Sequence, residues 1–93
     1  MVDGIPVESL RNVCRAAGVT RAVIVGSAAT GDGWDARRSD LDIYVDGPAT
    51  LDLATLARNL AVVAGRVVDL CSAADPLTSG MVYRNWRLGE CLL

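Results

Sequence analysis

Two carboxylates one residue apart, in Ser39-Asp40-Leu41-Asp42-Ile43-Tyr44-Val45, are the groups in this 93-residue chain best arranged for chemistry. Side chains alternate along a strand, so Asp40 and Asp42 share one face while Leu41 and Ile43 share the other. Paired carboxylates repel unless a divalent cation neutralises them. Hard oxygen ligands offered to a phosphate-bearing substrate are the preferred setting for Mg²⁺. Upstream, Ala22-Val23-Ile24-Val25 ends abruptly in Gly26-Ser27, the pattern of a buried strand opening into a turn or helix start. Gly26 has no side chain to hold a ligand off the backbone. Ser27 offers both a hydroxyl and an N–H where a helix dipole favours phosphate. Further on, Asp69 sits in Val67-Val68-Asp69-Leu70. A carboxylate in so apolar a run needs a partner or a purpose, because an unpaired buried charge is costly. An Asp-x-Asp alone is more often a solvated turn or cap than a site; the upstream Gly-Ser and the downstream Asp69 shift the balance.

Composition narrows the chemistry. With no His and no Lys, a Ser-His-Asp or Cys-His nucleophile system, an imidazole zinc site and a Walker-type phosphate-binding Lys are all excluded. Asp and a metal must do the work. The net charge is −2, and the nine cationic residues, all Arg, are scattered along the chain, which argues against a nucleic-acid partner. Cys14, Cys71 and Cys91 are odd in number and lack Cys-x-x-Cys spacing, so neither a disulfide framework nor a zinc knuckle is indicated; a reducing cytosol is the simplest setting. The apolar runs are far shorter than the roughly 18 residues of a membrane span, and nothing resembles a signal peptide.

The elements that must position these groups follow from pattern and punctuation. The length suits one domain with a single core, and the 52% hydrophobic content, without Phe, suits short helices on a small sheet. Pro6 opens a helix over 6–17 in which Val7, Leu10, Cys14 and Ala17 form one face and Gly18 is the stop. Residues 21–26 form a first strand, 27–30 one helical turn, and 31–38 a mobile loop rich in Gly and Asp. Residues 40–45 form the second strand, and Asp46-Gly47-Pro48 is a turn. Thr50 can cap a helix with Leu53, Leu56, Leu60 and Val63 buried, Asp52 near its positive end and Gly65 closing it. Residues 66–70 form the third strand, with Val68 and Leu70 facing the core. Asp75-Pro76 starts a last helix over 76–88. The expectation is an α/β domain with a small, mixed three-stranded sheet and about four helices.

Taken together, Gly26-Ser27-Ala28-Ala29-Thr30-Gly31, Ser39-Asp40-Leu41-Asp42 and Val67-Val68-Asp69-Leu70 resemble the signature of the minimal nucleotidyltransferases of the DNA polymerase β-like superfamily. The likeness covers almost the whole chain. It implies that Asp40, Asp42 and Asp69 hold one or two Mg²⁺ ions, that Gly26 and Ser27 grip the distal phosphates of ATP, and that a nucleoside monophosphate is transferred to an acceptor. Asp69 would help deprotonate or orient the attacking hydroxyl. Two departures stand out. Twelve residues separate Ser27 from Asp40, more than is usual in the family, and Thr30 stands where many members carry Arg.

Members of this size resemble the antitoxins of two-gene HEPN/MNT toxin–antitoxin systems, which attach AMP to a Tyr of a HEPN-type toxin. A protein partner would supply the acceptor surface that a chain this small lacks. Two alternatives stay open: an antitoxin with weak or no catalysis that acts by binding, and a transferase for a small molecule such as an aminoglycoside. A homodimer could build a missing pocket between subunits, with Trp86 and Cys91-Leu92-Leu93 as a contact surface. Arg37 and Arg38 could neutralise triphosphate or be plainly solvated, and Trp34 could stack a base, meet a partner or fold back over its loop. Tyr44 follows the alternation onto the carboxylate face, as a wall of the cleft.

Overall fold

The computed structural model describes residues 2–72 and 89–93, and the expected helix over 76–88, with Trp86, lies outside them. The element order is α1 (Val7–Ala17), β1 (Arg21–Val25), α2 (Ser27–Thr30), β2 (Leu41–Asp46), α3 (Leu53–Ala64), β3 (Val68–Ser72) and β4 (Glu90–Cys91). The strands lie in the order β3-β2-β1-β4. β1 runs antiparallel to both β2 and β4, while β2 and β3 are parallel and joined through α3, as a parallel pair requires. The sheet is therefore mixed, with one strand more than the sequence suggests.

Both long helices pack on one face of the sheet. Leu10 and Cys14 of α1 and Leu56 and Leu60 of α3 meet Ala22, Ile24, Leu41, Ile43 and Val45, with Leu92 from the segment after β4. All of these are buried. Ala17, assigned to the buried face by periodicity, is exposed at the end of α1, where Gly18 closes the helix in a left-handed conformation. Burial pushes the Cys14 thiol up, so it acts as a small core hydrophobe. The opposite face of the sheet carries a smaller cluster of Val23, Val25 and Tyr44, with Cys71 packed against it. No helix among the described residues is long and apolar enough to cross a membrane.

Several boundaries differ from the sequence expectation for identifiable reasons. β2 starts at Leu41 and runs to Asp46 because Arg21 still pairs with Asp46, extending the ladder to the turn. β3 starts at Val68, two residues later than expected, because α3 ends at Gly65 and the chain must first cross to the β2 edge. Asp52, not Thr50, is the N-cap of α3. Its carboxylate accepts the Thr55 N–H at 3.1 Å and the Thr55 hydroxyl at 2.8 Å. These bonds, the backbone one first, hold the Asp52 carboxyl below its ordinary range. Stability from such a cap is present above the unfolded carboxyl value and lost as pH falls through the lowered folded value. Asp52→Ala is therefore expected to lower the thermal midpoint at neutral pH by a few degrees. The difference from the parent should vanish in acid, and a melting series across pH checks it.

β4 is only two residues long and is held from both sides. Val23 pairs with Cys91 and Ile24 with Glu90. Ala22 N–H donates to the Leu93 carbonyl, and the Ala22 carbonyl accepts from Leu92 and Leu93. Arg11 Nε donates to the Leu92 carbonyl at 2.7 Å, fastening this segment to α1. Gly89 crosses β1 so closely that a Cβ there would overlap the Ile24 carbonyl oxygen and come within 2.5 Å of Val23 Cγ1 and 3.0 Å of Val25 Cγ1. Backbone cannot yield as a flexible side chain would. Gly89→Ala is expected to destabilise the protein by about 2–3 kcal/mol, measured as the shift in a urea midpoint.

Candidate active site

The parallel register of β2 and β3 pairs Leu41 with Val68, Asp42 with Asp69 and Ile43 with Leu70. Alternation places Leu41, Ile43 and Val68 toward the helices, so Asp42 and Asp69 lie side by side on the opposite face. Tyr44 follows onto that face as a buried wall beside Val23 and Val25. Asp69 itself is exposed, between buried Val68 and half-buried Leu70. Its charge is solvated and needs no buried counter-ion. Asp40 is exposed just ahead of β2 rather than within it.

These carboxylates feel one another. Burial first, then the charges of Asp69 and Asp40, raise the Asp42 carboxyl above its ordinary value. Like charges held this close repel one another, which disfavours the charged form of Asp42. Among the described residues, no three His, Cys, Asp or Glu side chains stand ready-made as a metal cage.

β1 brings the second half of the site to the same end of the sheet. Its last residue, Val25, pairs with Asp42, so Gly26 leaves the strand beside that carboxylate. Gly26 has φ 70° and ψ −149°, a conformation closed to residues with a Cβ. A Cβ there would lie 2.8 Å from Asp42 Oδ2. The backbone conformation requires glycine, and any Cβ would also press on the Asp42 carboxylate. The carbonyl of Gly26 starts the α2 turn by accepting the N–H groups of Ala29 and Thr30. The N–H groups that open such a turn have no intrahelical acceptor, which orients Ser27 and its neighbour as donors at this end of the sheet. Thr30 is occupied locally. Its hydroxyl lies 3.4 Å from the Gly26 carbonyl and accepts the Asp32 N–H at 3.2 Å, closing the turn rather than reaching outward.

The loop after α2, expected to be mobile, carries a set of local hydrogen bonds. Asp35 organises a compact turn: its carbonyl accepts the N–H groups of Arg38 and Ser39, and its N–H donates to Ser39 Oγ at 2.8 Å. Asp35 Oδ1 also accepts the Arg37 N–H at 2.9 Å. Trp34 folds back against the core, and Arg66 lies over its ring, 4.5 Å from the centroid. Arg37 and Arg38 are exposed. Sequence reasoning did not single out Arg66; its position three residues before Asp69 was the available signal. A groove of about 670 Å³ between α1 and α3 is on the helical layer and has no part in the carboxylate face.

This mixed four-stranded sheet with its helices on one face matches nucleotidyltransferase-like structures in fold. The chain is similar over 96% of its length to the crystal structure of a toxin–antitoxin with AMP-PNP, at 24% identity and a TM-score of 0.73, covering 73% of that chain. It is likewise similar over 96% of its length to a toxin–antitoxin MntA-HpeT mutant in which two aspartates, two residues apart, are replaced by glutamate. There the identity is 21%, the TM-score 0.69 and the coverage of that chain 73%. At these identities the likeness is one of fold. No protein-family model and no curated protein matches the sequence.

Proposed function

We propose that this protein is a Mg²⁺-dependent nucleotidyltransferase that moves AMP from ATP to a hydroxyl of a partner protein, as an antitoxin that adenylylates a HEPN-type toxin. The observation that carries the reading is the register setting Asp42 beside Asp69, with Gly26 against Asp42 Oδ2. Support comes also from the neighbour solved with AMP-PNP and from the pair of aspartates altered in MntA-HpeT, whose spacing is that of Asp40 and Asp42.

The residues suit a hard divalent ion: the donors are all carboxylate oxygens, mutually repelling and partly exposed, at the end of the sheet where Gly26 leaves room. Asp40, Asp42 and Asp69 would hold Mg²⁺. When bound, Mg²⁺ supplies neutralisation of charge on the triphosphate and the departing pyrophosphate. Gly26 and Ser27 bind the distal phosphates through backbone N–H and hydroxyl, orienting the α-phosphorus. The acceptor oxygen attacks that phosphorus, forming one P–O bond as the bond to pyrophosphate breaks. Asp69, exposed where its neighbour Asp42 is half-buried, is suited to orient the acceptor hydroxyl and take its proton.

Incubating the purified chain, ATP, Mg²⁺ and the product of the adjacent gene, then weighing that product intact, tests the reading. The expected result is a gain of one AMP moiety. A second reading, neutralisation by binding alone, is favoured by Thr30, whose hydroxyl serves its own turn where an Arg would contact phosphate. Neutralisation without mass gain, surviving the loss of Asp40 and Asp42, would establish it. AMP transfer to an aminoglycoside in place of the protein would point to a small-molecule transferase.

A further inference from the structure

We infer that Arg66 and Trp34 form a latch that positions the acidic face for a divalent cation, an inference resting on the metal-site reading above. Arg66 Nη1 donates to the Ser39 carbonyl at 3.0 Å and Nη2 to the Ala36 carbonyl at 2.7 Å. The Ser39 carbonyl belongs to the peptide bond that leads into Asp40. One guanidinium thus grips both ends of the turn that delivers the first carboxylate, while its flat face rests on Trp34. The Val67 carbonyl beside it accepts the Leu41 N–H at 2.9 Å, so the same corner also sets where β2 begins. Two residues later comes Asp69.

To the hydrogen bonds that Asp35 makes within this loop, Arg66 adds a planar cation that bridges two carbonyls and stacks on an indole. Trp34 is then a platform for Arg66, and its stacked face is unavailable to a nucleobase. Both are positioning residues; neither contacts the reacting atoms.

Local electrostatics and positioning predict opposite signs. Removing a positive charge near a carboxylate group strengthens cation binding if charge alone matters. Loss of the latch weakens it. Manganese, titrated into the full chain and followed by its electron paramagnetic resonance signal at a temperature where circular dichroism shows every variant folded, separates the two. Arg66→Ala is expected to weaken Mn²⁺ binding about tenfold, the size usual for groups that orient metal ligands. Trp34→Ala, which leaves every charge in place, should weaken it in the same direction, and Arg66→Lys should fall between because an ammonium cannot bridge and stack as a guanidinium does. In metal-free protein, hydrogen exchange at the Arg38 and Ser39 amides should accelerate at least about tenfold in Arg66→Ala, with α3 unchanged. Unaltered exchange would overturn the latch itself. Mn²⁺ binding by Arg66→Ala as tight as the parent's, or tighter, would overturn its positioning role. A parent that takes up no Mn²⁺ would overturn the metal-site reading, whatever the exchange shows, and the positioning role with it.

Discussion

Asp42→Ala is expected to lower the proposed AMP transfer by at least about a thousandfold, equivalent to about 4 kcal/mol of barrier, and yet to leave a protein at least as stable as its parent without metal. The first effect follows from removing the carboxylate that lies between the other two, paired with Asp69 and adjoining Gly26. The second follows from the sign of its perturbation. Burial, then Asp69, then Asp40 raise the Asp42 carboxyl above its ordinary value. The folded state therefore retains a proton that the unfolded chain has released, and metal-free stability falls as pH rises from the ordinary value through the raised one. Above the raised value that penalty is fully present. Asp42→Asn, which keeps the shape and drops the charge, should raise the metal-free melting midpoint by a few degrees and flatten its dependence on pH. A midpoint that drops instead would mean that the carboxylate stabilises the fold.

Gly26→Ala should be nearly as damaging to transfer, by a different route. The backbone conformation at Gly26 is closed to alanine, and the new methyl would meet Asp42 Oδ2 at 2.8 Å. Forcing the conformation costs about 1–3 kcal/mol, and relieving the contact must displace the Asp42 carboxylate. Transfer is expected to fall by at least about a hundredfold, the scale on which misplaced groups lose activity, with a lowered urea midpoint. Pairing Gly26→Ala with Asp42→Ala distinguishes the two contributions. If the methyl acts through the carboxylate, its effect on transfer largely disappears once Asp42 is gone.

The parts of this molecule that read clearly from the sequence are those set by local pattern. The β-branched run into Gly26-Ser27, the alternation of Asp40, Leu41, Asp42 and Ile43, and the Leu53, Leu56, Leu60 stripe each declare an element and a face, and those elements form as expected. The parts that did not read clearly depend on contacts remote in sequence. β4 is two residues long, too short to carry periodicity, and exists because Val23 and Ile24 offer it a ladder. Gly89 looks like any loop glycine until β1 passes beneath it. Thr50 and Asp52 are both good caps, and only the start of α3 decides between them. Arg66 reads as a strand residue, while its guanidinium reaches back 27 and 30 residues to the loop carbonyls. Asp69 was legible as an anomaly in an apolar run, but its place beside Asp42 was legible only through the family resemblance: a parallel register cannot be deduced from either strand alone, and it is this register that sets Asp69 against Asp42.

Calorimetric titration of AMP-PNP into the protein, with and without Mg²⁺, bears on the acidic face most directly. Saturable binding that requires Mg²⁺, is abolished by chelation and is lost in Asp42→Ala is the expected result. Binding of equal strength without the metal, or by Asp42→Ala, would contradict a site built from Asp40, Asp42 and Asp69.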